Sequence, residues 1–263
     1  MSSAVVNRHL VEAPPVVPYS YGLFSVAEPR VMADPHWRFG VIWQSQSCFQ
    51  TDVTTSACFE EVAPLDPLDD SCLTRDYEPF TVYAYNVDEI PGRTLAEREE
   101  DTINRLLAGE QRSAEEHVWG NLTAAAGGNV DLTASSAHYA LAWLEQELAE
   151  NYGGTGVIHM NRATAMMLYD YFRVQGGRLF TPLGTPVVAG GGYDEQGGTA
   201  TGLGTIYGTG PLLIWRGDID TRQNAVSKSD NTVSIIAQRD YVVGWDCATI
   251  GVDLTIDPST ITS

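Results

Sequence analysis

Apolar residues recur at helical spacing through one long stretch of the chain. Ile103, Leu106, Leu107, Ala114 and Val118 fall on one face of a 3.6-residue period, and no proline interrupts residues 94–119. Thr94 followed by Glu97 is a capping box at the start of that stretch. Glu97, Glu99 and Glu100 place negative charge where the helix dipole favours it. The pattern predicts a helix over about 26 residues, roughly 39 Å long. Half of its surface is polar, so that face stays wet or meets another molecule.

Two shorter helices are expected after it. Ala137, Ala140, Leu141, Leu144 and Leu148 define one, opened by Ser135 or Ser136 and closed at Gly153–Gly154. A short apolar strand follows at 156–160. Asn161 then caps a second helix carrying Ala165, Leu168, Tyr171 and Phe172, ending near Gly176–Gly177. The last third alternates strand-like runs with glycine loops. Strands are expected at 185–189, 204–208, 212–215, 232–238, 241–245 and 248–256, with Asp240 or Gly244 marking a turn or bulge.

The first 88 residues are different. Residues 1–39 hold Pro14, Pro15, Pro18, Pro29 and Pro35 and sustain neither period. Proline fixes φ and removes a donor, so this segment is expected to run extended over some other surface. Residues 40–88 look like two strand arms, 41–43 and 80–85, around an irregular segment with an acidic tip at 65–70. A loop of that length is usually functional.

Composition narrows the partners. The chain has 263 residues, 34 acidic against 15 basic, a formal charge of −19, and Lys228 is its only lysine. Phosphate backbones and anionic membranes are held by Lys and Arg. A surface this acidic argues against tight nucleic-acid binding and suits loose enclosure. No signal peptide is visible, and no apolar run approaches the ~20 residues of a membrane span. The expectation is maturation in a cytoplasm.

Chemistry-bearing motifs are absent. There is no G-x-S-x-G, H-E-x-x-H or C-x-x-C, and no lysine to complete a phosphate-binding loop. The glycines at 202, 204, 208 and 210 read as turn or bulge residues. Cys48, Cys58, Cys72 and Cys247 fit no zinc spacing. They read as buried thiols, or as one disulfide within the 48–72 cluster. His9, His36, His117, His138 and His159 are scattered, and His159 reads as a core imidazole. Glu115 and Glu116 beside His117 do not share a helix face, so they read as a solvated or intersubunit surface. Asp69–Asp70 and the Asp218/Asp220 pair read as solvated carboxylates, with an intersubunit cation as the alternative. No catalytic, cofactor-binding or metal residue is assigned, and no cofactor is expected.

The order of these parts resembles the Hong Kong 97 phage capsid fold, an α+β architecture also used by encapsulin shells. The stretches that carry the resemblance are LLAGEQRSAEEHVWG (106–120), YGGTGVIHMNRATAMMLYDY (152–171) and RLFTPLGTPVVAGGGY (178–193). The last is also similar to capsid proteins of phages that infect actinobacteria. The resemblance implies an N-terminal arm (1–39) and an extended loop (40–88). It further implies a peripheral domain with a spine helix (89–124 and 239–263) and an axial domain (125–238), whose loop at 190–204 faces a capsomer axis.

It implies a major capsid protein that forms hexamers and pentamers of an icosahedral tailed-phage head around double-stranded DNA. Its partners would be itself, then scaffold, portal and decoration proteins, with no membrane. Its location would be the virion, after assembly in the host cytoplasm. The founding member of the family joins subunits through Lys–Asn isopeptide bonds, with the lysine on the extended loop. Residues 40–88 contain no lysine, so no such cross-link is expected. An encapsulin-type compartment shell and an acidic β-rich hydrolase are the alternatives.

Overall fold

The computed structural model describes residues 16–32, 35–45, 74–89, 94–193, 203–227, 232–247 and 249–255. It is a mixed α+β chain built around one long helix and two main sheets. The acidic tip 65–70, Cys48, Cys58, Cys72, His9, Lys228 and most of the loop expected to face an axis lie outside the described residues.

The helix α2 runs Leu95–Ala126, 32 residues and roughly 48 Å. Its start is as expected: Glu97 N–H donates to Thr94 Oγ1 at 3.3 Å, and Thr94 N–H donates to Glu97 Oε2 at 2.7 Å. Its end is later than expected. Gly120 and Asn121 are helical, and the helix stops where Gly127 takes a left-handed φ of 63°. Gly120 has open space around it, so packing neither demands nor opposes the continuation.

The five-stranded sheet has the order β1-β11-β13-β12, with β4 on the other side of β13. These strands are β1 Arg30–Val31, β4 Phe80–Glu89, β11 Leu212–Arg216, β12 Asp220–Ser227 and β13 Thr232–Trp245. β13 is continuous through Asp240 and Gly244, where a break was expected. Two of its three neighbours explain this. β4 pairs along 232–241 and β11 along 241–245, so both ends of the long strand are hydrogen-bonded. One face of β4 sends Val82 and Asn86 inward beside α2.

The seven-stranded sheet has the order β5-β14-β10-β6-β9-β8-β7. It holds β5 Asn129–Asp131, β6 Val157–Asn161, β7 Arg173–Gln175, β8 Arg178–Phe180, β9 Pro186–Gly190, β10 Leu203–Thr209 and β14 Thr249–Thr255. Its central strands are buried on both faces, which is why they read as unbroken apolar runs. Ile158, Met160, Val187, Ala189 and Ile206 pack with the helix α3 (Ala137–Asn151). Val157, Val188 and Tyr207 face the core around α2. β14 pairs with β10 and β5, whereas β11 and β12 pair with β13.

Three local corrections follow. The helix opened by Asn161 is short: α4 covers Arg162–Met167, a 3-10 turn covers Tyr169–Tyr171, and Gly176–Gly177 turn the β7–β8 hairpin. The strand at 41–44, β2, pairs with β3 (Thr74–Tyr77) and not with the strand beginning at Phe80. Between residues 16 and 39 the arm is not wholly extended. It contains a helical turn, α1 (Leu23–Val26), and a 3-10 turn at Pro35–Phe39.

Candidate functional site

The most constrained place in the molecule is where arm, spine helix and seven-stranded sheet meet. Its centre is Glu115, expected at the surface and fully buried here. Four donors converge on its carboxylate. Leu23 N–H reaches Oε1 at 2.8 Å, Gln111 Nε2 reaches Oε1 at 3.2 Å, and Gly192 N–H reaches Oε2 at 2.9 Å. The Tyr19 hydroxyl donates to Oε2 as well. Burial, then the neighbouring carboxylate, raises the Tyr19 phenol well above its ordinary value, so it stays a donor.

Local backbone makes this approach possible. A Cβ on Gly192 would lie 2.0 Å from the Arg112 carbonyl oxygen, so only glycine lets this loop touch α2. Around the carboxylate the arm is fastened twice more. Ala189 N–H donates to Tyr21 O at 2.7 Å. Arg162 donates to Ser20 O at 2.9 Å and lies 5.0 Å from the Tyr19 ring centre.

A second buried carboxylate on the same helix joins α2 to β13. Glu110 Oε2 accepts from Arg239 Nη1 and from the Tyr241 hydroxyl, both at 2.8 Å. Desolvation, then the carboxylate, pushes the Tyr241 phenol well up. Its ring stacks between Phe24 of the arm and Phe80 of β4. Phe80 in turn stacks at 4.0 Å on His117, whose imidazole is held below its usual value by desolvation.

His159 is a core residue, as its strand position predicts. Tyr193 and Thr209 hydroxyls flank its two ring nitrogens at 3.0 Å each. Full burial lowers its pKa to about 3, so it is neutral. Of the acidic pair, Asp220 is ion-paired with Arg222 at 2.7 Å. Among the described residues no group of three or more His, Cys, Asp or Glu converges on a point that would hold a metal. No helix among them is long and apolar enough to cross a membrane.

Cys247 is disulfide-bonded, and the chain's other cysteines, Cys48, Cys58 and Cys72, all lie outside the described residues. The expectation of a disulfide within residues 48–72 falls outside the described residues. The neighbourhood of Cys247 is the β2–β3 hairpin. Ser45 Oγ lies 3.6 Å from Cys247 Sγ, Trp43 stacks on Tyr77 at 4.9 Å, and the Tyr77 hydroxyl donates to Trp245 O.

The outward surfaces carry more apolar side chain than water alone would favour. On β4, Tyr83, Tyr85 and Val87 alternate outward and are each more than half exposed (64%, 63% and 56%). Met166, Met167, Tyr169, Tyr171 and Val174, on α4, the turn after it and β7, are exposed as well. Phe39 and Ile42 are exposed at the base of the β2–β3 hairpin.

No protein-family model matches the chain, and no curated protein is similar to it in sequence. Solved structures do match its fold over nearly the whole length. A virus-like particle chain from Pyrococcus furiosus superposes with a TM-score of 0.54 at 11% identity, covering 89% of this chain and 92% of that one. The head structure of Helicobacter pylori bacteriophage KHP40 gives 0.53 at 9% identity, covering 97% and 96%. The capsid of an empty GTA particle gives 0.52 at 14% identity, covering 93% and 99%. The chain therefore has the Hong Kong 97-like fold of phage capsid proteins. Sequence reasoning had the elements but missed Glu115 and Cys247. Helical spacing carried no signal for Glu115, which sits about 120° around the helix from Ile103.

Proposed function

We propose that this chain is a major capsid protein that self-assembles into hexamers and pentamers of an icosahedral tailed-phage head around double-stranded DNA. The observation that carries this reading is agreement of fold with capsid and head chains over nearly the whole length of each. A shell subunit needs surfaces that only other copies cover, and the outward strip on β4 and the exposed side chains around α4 supply them. The chain acts as structure and not as an enzyme. Its partners are copies of itself, then scaffold, portal and decoration proteins, with DNA held loosely inside an acidic wall. The location is the virion, after assembly in the host cytoplasm.

In this reading residues 1–39 serve as arm, 40–88 as extended loop, and the segment around 190–204 faces the capsomer axis. Contacts around each axis are heterologous: one patch meets a different patch on the next copy. No isopeptide cross-link forms, because the extended loop offers no lysine. A denaturing, reduced gel of mature particles should show single-chain bands; a ladder there would remove this point.

Negative-stain microscopy of the overexpressed full chain tests the whole reading. Closed shells are expected, and particles from infected cells should hold DNA. Shells that hold a packaged enzyme in place of DNA would make it a compartment protein. A monodisperse monomer would end the capsid reading.

A further inference from the structure

Both edges of the seven-stranded sheet lie open, and they carry opposite charge. β5 and β7 end the strand order, and every residue of each is exposed. An exposed edge strand is a template for another chain. Strand register fixes the face each side chain occupies, because directly paired residues share a face. Asp131 pairs with Asp253, and Asp253 with Thr205. Two residues on, Tyr207 pairs with His159, and His159 with Val188. Two residues back along β9, Pro186 pairs with Phe180, and Phe180 with Arg173. Gln175, paired with Arg178, continues the same side. Asp131 at one edge and Arg173 and Arg178 at the other therefore lie on one face. It is the face that Tyr207 turns toward α2, where its hydroxyl meets Thr123.

These charges are unanswered within the chain. Arg38, Arg222 and Arg239 are ion-paired, and Arg162 is committed to the arm. Among the described residues, exposed Arg173 and Arg178 have no carboxylate within ion-pair distance, Asp170 on the preceding turn included. Asp131 is exposed too, and no described guanidinium reaches it. The Thr133 hydroxyl and N–H donate to its Oδ1 at 2.6 and 3.0 Å and hold the carboxyl below its usual range. Six strand spacings separate β5 from β7, roughly 29 Å, so the two edges of one sheet cannot meet each other.

We infer that the β7 edge of one copy docks against the β5 edge of the next, with Arg173 and Arg178 meeting Asp131. The contact is head-to-tail. Each copy gives its basic edge to one neighbour and its acidic edge to the other, so the contact repeats around a closed ring. Guanidinium and carboxylate groups on the same face of two abutting sheets form charge-assisted hydrogen bonds. Asp253, one strand in from Asp131, adds to the acidic side, its Oδ1 held by Asn129 and Thr205. The inference rests on the shell reading and names a pair of surfaces within it.

Charge exchange in the full chain tests it. Arg173→Glu/Arg178→Glu makes both edges acidic, and Asp131→Arg makes both basic. Each should lower the yield of assemblies at least about tenfold, with unchanged circular dichroism, because like charges then oppose at every contact. The triple variant Arg173→Glu/Arg178→Glu/Asp131→Arg should recover most of that yield. The exchanged positions cannot touch in one chain, so recovery reports a contact between copies. If Asp131→Arg alters the circular dichroism, Asp131→Asn takes its place: it keeps an acceptor for Thr133, loses only the charge, and should still lower yield. Unimpaired assembly of Arg173→Glu/Arg178→Glu or of Asp131→Asn, or a triple variant no better than its parts, would overturn the inference and leave the shell reading standing. Normal assembly of Arg173→Glu/Arg178→Glu with reduced DNA content would overturn it by making the arginines a phosphate contact. An unaltered chain that stays monomeric would end the shell reading and this contact with it.

Discussion

The two main sheets differ in what they leave uncovered. The central strands of the seven-stranded sheet are closed by their own chain, α3 covering one face and α2 with the arm the other, while its edge strands β5 and β7 are exposed. Its buried polar groups are satisfied internally, His159 between two hydroxyls and Glu115 under four donors. The five-stranded sheet is covered on its α2 face, while β4 presents Tyr83, Tyr85 and Val87 outward. Alternation along β4 is regular, but its outward positions are aromatic where a solvated antiparallel sheet would carry polar residues. The centre of the first sheet is therefore closed within the single chain, whereas the second presents an apolar face that, in the capsid reading, another copy covers. Mutations should separate the two: changes in the first should lower stability of the single chain, and changes in the second should lower assembly.

The largest effect is expected at the junction that closes the first region. Glu115→Ala strands several buried donors, and urea denaturation should show a loss of about 3–5 kcal/mol. A loss under ~1 kcal/mol would mean that the arm is not held there. Acid should act on the same region through His159. Its folded pKa of about 3 lies below the unfolded value of 6.5, so the unfolded chain binds the extra proton between those values. The stability it carries is full above pH 6.5 and is lost as pH falls toward 3, at up to about 1.4 kcal/mol per pH unit. His159→Gln, compared by thermal unfolding at pH 4 and pH 7, should flatten that dependence. A variant with an unchanged slope would remove His159 as the cause.

Smaller is Tyr241→Phe, which deletes one hydrogen bond to Glu110 while Arg239 remains. It should cost about 1 kcal/mol in thermal unfolding. Smallest on the fold is Tyr83→Ser/Tyr85→Ser. Monomer stability should stay within about 0.5 kcal/mol, as for exposed sites generally, while shell yield falls. The comparison between the sheets fails if this pair destabilises the monomer and leaves assembly intact.

The sequence was most readable where local rules and packing agree. The Thr94–Glu97 box, the Ser136 and Asn161 caps and the apolar runs of β6 and β9 are local signals that tertiary structure keeps. It was least readable where a distant partner decides. β13 runs through Asp240 because β4 and β11 pair with it from remote parts of the chain. The helix after Asn161 ends early because residues 173–175 are taken as a strand by β8. β12, paired only with β13, has the polar sequence Asp220–Ser227 and gave no periodic signal. Glu115 was read as a surface residue because helical spacing alone cannot see Tyr19, Leu23 and Gly192 arriving from 96, 92 and 77 residues away. The architecture was legible as an order of elements. The junction that holds it was not, because three of its four donors, two backbone N–H groups and a phenol, arrive from distant segments with no motif to announce them.

Sedimentation velocity of the purified full chain tests the central claim most directly. The account predicts a fast boundary of closed multi-copy particles for the unaltered chain, giving way to small species in Tyr83→Ser/Tyr85→Ser. A single slow boundary at the mass of one chain, 28.6 kDa, at every concentration would contradict it.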